Sequence, residues 1–376
     1  MARLRVVQWS TGGVGAIALR AIAQRSDLEL AGVFVHSADK DGRDAGELAG
    51  GAPLGIAATR DAEALIALRP DCICYPASGE ARPGECLDDF ERMLAAGIHV
   101  VTTSVPGLVH PAGFDARAVE RLEKACRAGG ASLYASGLEP GFAGDELVLR
   151  LASLTHRIRS VRTQEIFSYT DYPVPFTIFE VFGFGKPPEA RCIMERPGVQ
   201  SSAWAPPVRM VADWLGAPLD GIRETYEKRV TPRRIEAAAG VIEAGTVGAV
   251  RFETIGVVAG RDAIVIEHVN RMAPDLAPDW PSSTRDGTYR VVFEGEPDLA
   301  CELQLGGVRD FAAHGMVATA MRVVNAIPAV CRAGPGLVSA AELPPLLPVG
   351  AFSAIGAASD PAASRAAAAP AARMPR

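Results

Sequence analysis

Six residues, Ser10-Thr-Gly12-Gly-Val-Gly15, follow the strand-like run Arg5-Val-Val-Gln-Trp9 and open an apolar helical pattern. Glycines at such a junction permit a tight turn and close approach of the backbone to a pyrophosphate, and the helix N-terminus offers free N–H groups to anionic oxygens. The chemistry implied is dinucleotide binding, with Ser10, Thr11, Gly12, Gly13, Val14 and Gly15 around the phosphates. Ser10 stands where the usual fingerprint has its first glycine, and a plain strand-to-helix turn would use the same residues. The second strand ends Val33-Phe-Val-His36-Ser-Ala-Asp-Lys40 with no acid at its tip. There His36 and Ser37 can meet the ribose end of the cofactor, and Lys40 or Arg43 can supply positive charge to a 2′-phosphate. This favours NADP, or use of both NADP and NAD. Asp39 could instead serve a ribose hydroxyl, and Lys40 and Arg43 could be ordinary loop charges. Ala77, Thr103 and Asn325 complete the expected cofactor contacts.

Proton-transfer candidates are more scattered. In a parallel dinucleotide-binding sheet the reactive ring lies at the carboxyl ends of the strands, here the loops Pro76–Gly79, Ser104–Gly107 and Gly137–Gly141. Glu139 is the nearest acid, although a solvent-facing loop glutamate would look the same. A period of two puts Val161, Thr163, Glu165, Phe167 and Tyr169 on one strand face, where desolvation could make Glu165 a proton donor, with Tyr169 and Tyr172 as alternatives. The competing reading pairs Glu165 with Arg162 or Arg271 and packs Phe167 and Tyr169 in a seam between domains. His110, just before Pro111, is a further candidate donor, whereas His268 alternates with Ile264 and Ile266 and reads as structural. Phe176, Phe179, Phe182, Phe184 and Trp204 could line an apolar pocket or simply form core.

These residues need a scaffold. Strand patterns near 4–10, 28–36, 71–77, 98–103 and 131–136 alternate with helical ones near 14–25, 61–68, 83–96 and 114–128, which predicts a Rossmann-type parallel sheet over 1–140. Longer alternating runs at about 158–169, 223–231, 247–258, 263–272, 288–294 and 300–305 predict a second α+β domain over 141–312 on a mostly antiparallel sheet. Phe176–Phe182 and Val208–Leu215 read as helical, with the Pro- and Gly-rich stretch Gly183–Pro207 between them as a potential lid. Met316–Ile327 reads as a helix, within 313–350, that returns to the first domain, and the Ala/Pro/Ser tail 355–376 as disordered.

With 376 residues the chain has length for two cores, and a net charge of −6 without basic clusters excludes a nucleic-acid partner. Seven cysteines without Cys-x-x-Cys spacing suggest reduced thiols, no metal and a cytoplasmic protein, and no apolar run is long enough for a membrane span. The second sheet offers a face on which a homodimer could form.

Together the segments Val6–Gly15, Val35–Lys40, His99–Thr103, Ser136-Gly-Leu-Glu-Pro-Gly-Phe142, Val181-Phe-Gly-Phe-Gly185 and Val323–Cys331 resemble the family with a dihydrodipicolinate-reductase-type N-terminal domain. Within it the resemblance is to the amine dehydrogenase-like group related to 2,4-diaminopentanoate dehydrogenase. It implies an NAD(P)-dependent oxidoreductase that delivers hydride to an apolar carbonyl or imine. Two departures matter. The His-His segment and Gly-Thr loop of dihydrodipicolinate reductases are missing, and Thr102-Thr-Ser-Val-Pro-Gly-Leu-Val109 lacks the Glu that amine dehydrogenases carry after the fourth strand. Reductive amination then needs a substitute acid; C=C reduction of a conjugated carbonyl, or a non-catalytic NAD(P) sensor, needs none.

Overall fold

The computed structural model describes residues 2–79, 82–307 and 310–352, and the tail expectation for 355–376 lies outside them. Five strands fall where the sequence places them: β1 (Leu4–Trp9), β2 (Leu28–Phe34), β3 (Cys72–Tyr75), β4 (His99–Thr102) and β5 (Ser132–Ala135). All pair in parallel, in the order β5-β4-β3-β1-β2. The short strands β3 and β5 are apolar on both faces because helices cover both. On one face α1 (Gly13–Gln24) and the C-terminal helix pack over Val6, Cys72, Cys74, Val101 and Tyr134. On the other, α4 (Pro83–Ala95) and α5 (Ala116–Gly129) cover Val7, Ile73, Val100 and Leu133. Two short helices, α2 (Ala45–Leu48) and α3 (Ala62–Ala67), lie between β2 and β3. The strand order reverses between β1 and β3, so their carboxyl ends open the crevice in which such sheets bind ligands.

After α6 (Glu146–Ala152), the second sheet is built from β6 (Arg157–Ser168), β7 (Gly221–Val230), β10 (Val247–Val258), β11 (Arg261–Arg271), β12 (Gly287–Glu296) and β13 (Leu299–Leu303). A small hairpin, β8 (Ile235–Ala237) with β9 (Gly240–Ile242), stands apart. The order is β13-β12-β6-β11-β10-β7, antiparallel except for the central pair β6 and β11. That parallel pair sets Glu165 beside His268 and Phe167 beside Asn270.

Three local expectations change. The helix α7 spans Val199–Leu215 and runs through Pro206 and Pro207, both buried, where the sequence suggested a breaker. Packing of an apolar helix face on the sheet through Val208 and Val211 outweighs the two lost backbone bonds. The supposed lid is anchored, with Phe184, Cys192 and Met194 in the core and Lys228 ion-paired to Glu195. The C-terminal helix α8 (Phe311–Val330) takes in Pro328, and a further strand, β14 (Gly336–Val338), adds a sixth member beside β5. Helix α8 lies against α1 and the strands of the first sheet through Val323, Val324 and Ile327.

Candidate active site

At the carboxyl end of β1 the chain turns through Ser10, whose φ of 91° lies in the region that favours glycine. This is the conformation that the substituted first glycine of the motif would take without strain. Ser10 holds it while Gln8 donates a side-chain hydrogen bond to its carbonyl at 2.9 Å. Gly12 caps α1 with no side chain over the helix N-terminus, which leaves its N–H groups open to an anion. A Cβ on Gly15 would stand 2.5 Å from the Ser10 carbonyl oxygen, and one on Gly13 would stand 3.2 Å from the Met316 sulfur. Glycines are thus demanded by close approach, and α8 closes the loop from the far side. The residues present fit a dinucleotide pyrophosphate.

Around the tip of β2, Lys40 donates to the Thr11 carbonyl and hydroxyl at 3.3 and 3.2 Å. Arg82, just before α4, donates to His36 Nε2 at 2.8 Å, and Arg60 donates to the His36 carbonyl at 3.1 Å. Burial and the Arg82 charge both lower the His36 pKa, so the imidazole is a neutral acceptor. Arg60 and Arg82 join the expected Lys40 from distant parts of the chain, which is why local reading missed them.

A cavity of about 100 Å³ lies at the carboxyl ends of β4 and β5, lined by Thr103, Val105, Ser136, Leu138, Glu139 and Thr319 among others. It occupies the place where the crevice rule puts the reactive ring. Glu139 is a buried wall group rather than a solvent-facing loop acid: its Oε1 is buried without a hydrogen-bond partner. Burial first, then the nearby Asp145 and Glu165 carboxyls, push the Glu139 pKa well above the carboxylate range. The Trp204 indole approaches it but does not reach hydrogen-bond geometry, and its Nε1 is also buried unpartnered.

The loop carrying Glu139 is held by α8. Arg322 reaches the Ser136 hydroxyl at 3.3 Å, the Tyr134 hydroxyl at 2.9 Å, the Gly141 carbonyl and Glu146, and it lies over the Phe142 ring. Asp145 accepts from the Gly141 N–H at 2.7 Å. These partners come from helices and loops that are far apart in sequence, so no motif announces them.

Glu165 lies on the inner face of β6. It accepts hydrogen bonds from the Tyr289 hydroxyl at 2.9 Å and the Tyr169 hydroxyl at 3.5 Å. Among the described residues no arginine holds it: Arg162 is ion-paired with Glu253 and Glu267, and Arg271 donates to the carbonyls of Leu276 and Ala277. Burial outweighs the two tyrosine hydrogen bonds and lifts its pKa from 4.5 to about 7. Because the native carboxyl keeps its proton over a range where the unfolded one has lost it, stability falls as pH rises from 4.5 to about 7 and then levels off. Glu165→Gln, which mimics the protonated form, should remove that fall. Urea unfolding at about pH 8 should find the variant more stable by about 3 kcal/mol, with little difference near pH 4. Equal wild-type and variant stabilities at the higher pH would show that Glu165 is not so desolvated.

Two expected site residues are placed elsewhere. His110 is buried and its Nε2 meets Asp213 Oδ2 at 2.8 Å, so it fastens the loop after β4 to the last turns of α7. Asn325 accepts from Arg25 at 2.9 Å, just beyond the C-terminal end of α1 and away from its phosphate-binding end. Helix α8 reaches the site one to two turns earlier, through Met316 and Thr319. Periodicity predicted the helix but could not say which turn faces the crevice. Ala77 is buried in the loop after β3, where its carbonyl accepts from the Ser104 hydroxyl, and Ser37 precedes the turn that carries Lys40.

Residues 142–354 match the model of the 2,4-diaminopentanoate dehydrogenase C-terminal domain. The chain is 39% identical over 91% of its length to an amine dehydrogenase of Streptomyces virginiae, covering 96% of that protein. It is 23% identical over 69% of its length to 2,4-diaminopentanoate dehydrogenase of Acetoanaerobium sticklandii, covering 72% of it. In fold it is similar to the structure of amine dehydrogenase from Mycobacterium smegmatis, with a TM-score of 0.70 and 23% identity, over 92% of this chain and 97% of the other.

Proposed function

From the premise that this chain belongs to the 2,4-diaminopentanoate dehydrogenase family, and so is a nicotinamide-dependent oxidoreductase, we propose that it interconverts a carbonyl compound plus ammonia with the corresponding primary amine. The observation that carries this reading is Glu139, a buried carboxyl on the wall of the cavity at the ends of β4 and β5 whose Oε1 has no hydrogen-bond partner among the described residues. It stands in for the acid that the loop after β4 lacks.

Ser10 to Gly15 and the N-terminus of α1 would hold the pyrophosphate of the cofactor, and Thr103 and Ser136 line the cavity at the carboxyl ends of β4 and β5. The bound nicotinamide supplies or accepts the hydride. The chain's own work is proton transfer. As a carboxylate, Glu139 takes a proton from ammonium as its nitrogen adds to the carbonyl carbon; as an acid, it returns a proton to the hydroxyl that leaves as water. Its carboxylate then faces the positive iminium left behind. Burial and the neighbouring Asp145 and Glu165 carboxyls raise its pKa, which favours the acid form that returns the proton. Glu165, held by Tyr289 and Tyr169, is a second proton store within reach of the Glu139 charge. Tyr169, Phe182 and Trp204 pack together in the aromatic core of the second sheet, the apolar surroundings available to the organic part of a substrate.

The test is cofactor oxidation with ketones, with and without ammonium. Turnover should require ammonium. Oxidation by ketones alone, or by enones without ammonium, would replace this reading with carbonyl or C=C reduction.

NADP is the proposed cofactor, because Lys40, Arg60 and Arg82 gather positive charge at the tip of β2. Arg82→Ala should raise the KM for NADPH by about 10-fold, the loss of one charge-assisted contact, and leave the KM for NADH within about 2-fold. Equal effects on both cofactors would remove Arg82 from phosphate recognition.

A further inference from the structure

The inner face of the second sheet carries polar groups that the proton-transfer scheme does not use. His268 lies between Glu165 on β6 and Phe252 on β10 in the strand register, and Asn270 lies between Phe167 and Val250. The His268 ring stacks on Phe252 at 4.4 Å and meets the Trp204 ring edge at 4.6 Å. Its side chain and that of Asn270 are buried, at 3% and 0% exposure. Among the described residues, neither ring nitrogen of His268, neither amide atom of Asn270, nor the Trp204 Nε1 has a hydrogen-bond partner. An unpaired buried polar group is costly, and native interiors pair nearly all of them. His268 and Asn270 share one face of β11, and Trp204 bridges from His268 to the surroundings of Glu139, so we read them as groups whose partner arrives with a ligand.

We propose, resting on the carbonyl-amine reading above, that Asn270, His268 and Trp204 bind a neutral group of the substrate that both donates and accepts hydrogen bonds, a hydroxyl or a carboxamide. The chemistry of the partners selects this class. Asn270 offers an amide donor and a carbonyl acceptor, neutral His268 one donor and one acceptor, and Trp204 a donor only. A substrate carboxylate would meet Glu139 and Glu165, and an alkyl group would leave every one of these atoms unpaired. The reactive nitrogen faces Glu139 while the second polar group is read on the sheet. The substrate is therefore not wholly apolar, which narrows the expectation from sequence. A site built to hydrogen-bond a hydroxyl discriminates strongly against the analogue that lacks it.

The experiment compares 4-hydroxy-2-butanone with 2-pentanone, a pair of similar shape, in ammonium-dependent turnover by wild type and Asn270→Leu. Wild type should favour the hydroxyketone in kcat/KM by about 100-fold or more, and Asn270→Leu should lose that preference, the hydroxyketone falling by about 100-fold more than 2-pentanone. Equal use of both ketones by wild type, or a variant that loses both to the same extent while folded by circular dichroism, overturns the proposal. Binding of the two matching amines to the NADP+ complex, followed by fluorescence without turnover, separates this idea from the reaction it rests on. A wild-type preference for the amino alcohol, absent in the variant, upholds the pocket even if the reaction proves different. Turnover without any binding preference upholds the reaction and removes the pocket.

Discussion

Glu139→Gln should lower ammonium-dependent turnover by about 10²–10⁴-fold, the usual contribution of a positioned acid or base, while the cofactor dissociation constant stays within about 2-fold. The amide keeps the shape of the carboxyl and removes its proton chemistry. Because the native carboxyl is buried beside two others, its replacement by a neutral amide also relieves charge crowding, so thermal stability should hold or rise. That combination separates chemistry from folding. Steady-state kinetics, cofactor fluorescence titration and a melting curve on one preparation supply the three readouts. Undiminished turnover in a folded, cofactor-competent variant would remove Glu139 from the reaction and shift the proton-transfer role to its buried neighbours Asp145 or Glu165.

Gly15→Ala should weaken cofactor binding by about 100-fold, measured by the same titration. The added methyl would stand 2.5 Å from the Ser10 carbonyl oxygen and 2.9 Å from its carbon, both backbone atoms that no rotamer change can move aside. The loop must open, and Ser10 is already at a φ of 91° that few non-glycine residues adopt. Overpacking of this kind costs about 1–3 kcal/mol, and loss of a charge-assisted hydrogen bond to phosphate costs about 1.5–3 kcal/mol. Together they are of the order of a 100-fold affinity change. Gly13→Ala should be milder, since its methyl would meet the flexible Met316 side chain at 3.2 Å. If the Gly15 variant bound cofactor like wild type, the phosphates would not lie on this loop.

The glycine motif was legible because its partners are close in sequence: the turn, the free helix N-terminus and the carbonyl of Ser10 all lie within six residues. The same holds for β1 to β5 and for the long strands of the second sheet, whose apolar periods are local signals. Strand β14 was not legible, since its three residues are strand only because Ser132, Leu133 and Tyr134 offer an edge to pair with. Pro206 and Pro207 argued against a helix that long-range packing nevertheless holds together. His110 and Asn325 looked available until the fold supplied Asp213 and Arg25 as partners.

What the sequence determined by itself was a glycine turn suited to phosphate, a parallel sheet to carry it and the absence of an acid after β4; the arginines at the tip of β2 came only with the fold. Only the tertiary structure decided which carboxyls are dry. Glu139 and Glu165 are ordinary glutamates in sequence, and both are lifted because the fold buries them, even though Tyr289 on β12 donates a hydrogen bond to Glu165 that works the other way. Desolvation depends on every neighbour that excludes water, and those neighbours are set by packing rather than by local spacing.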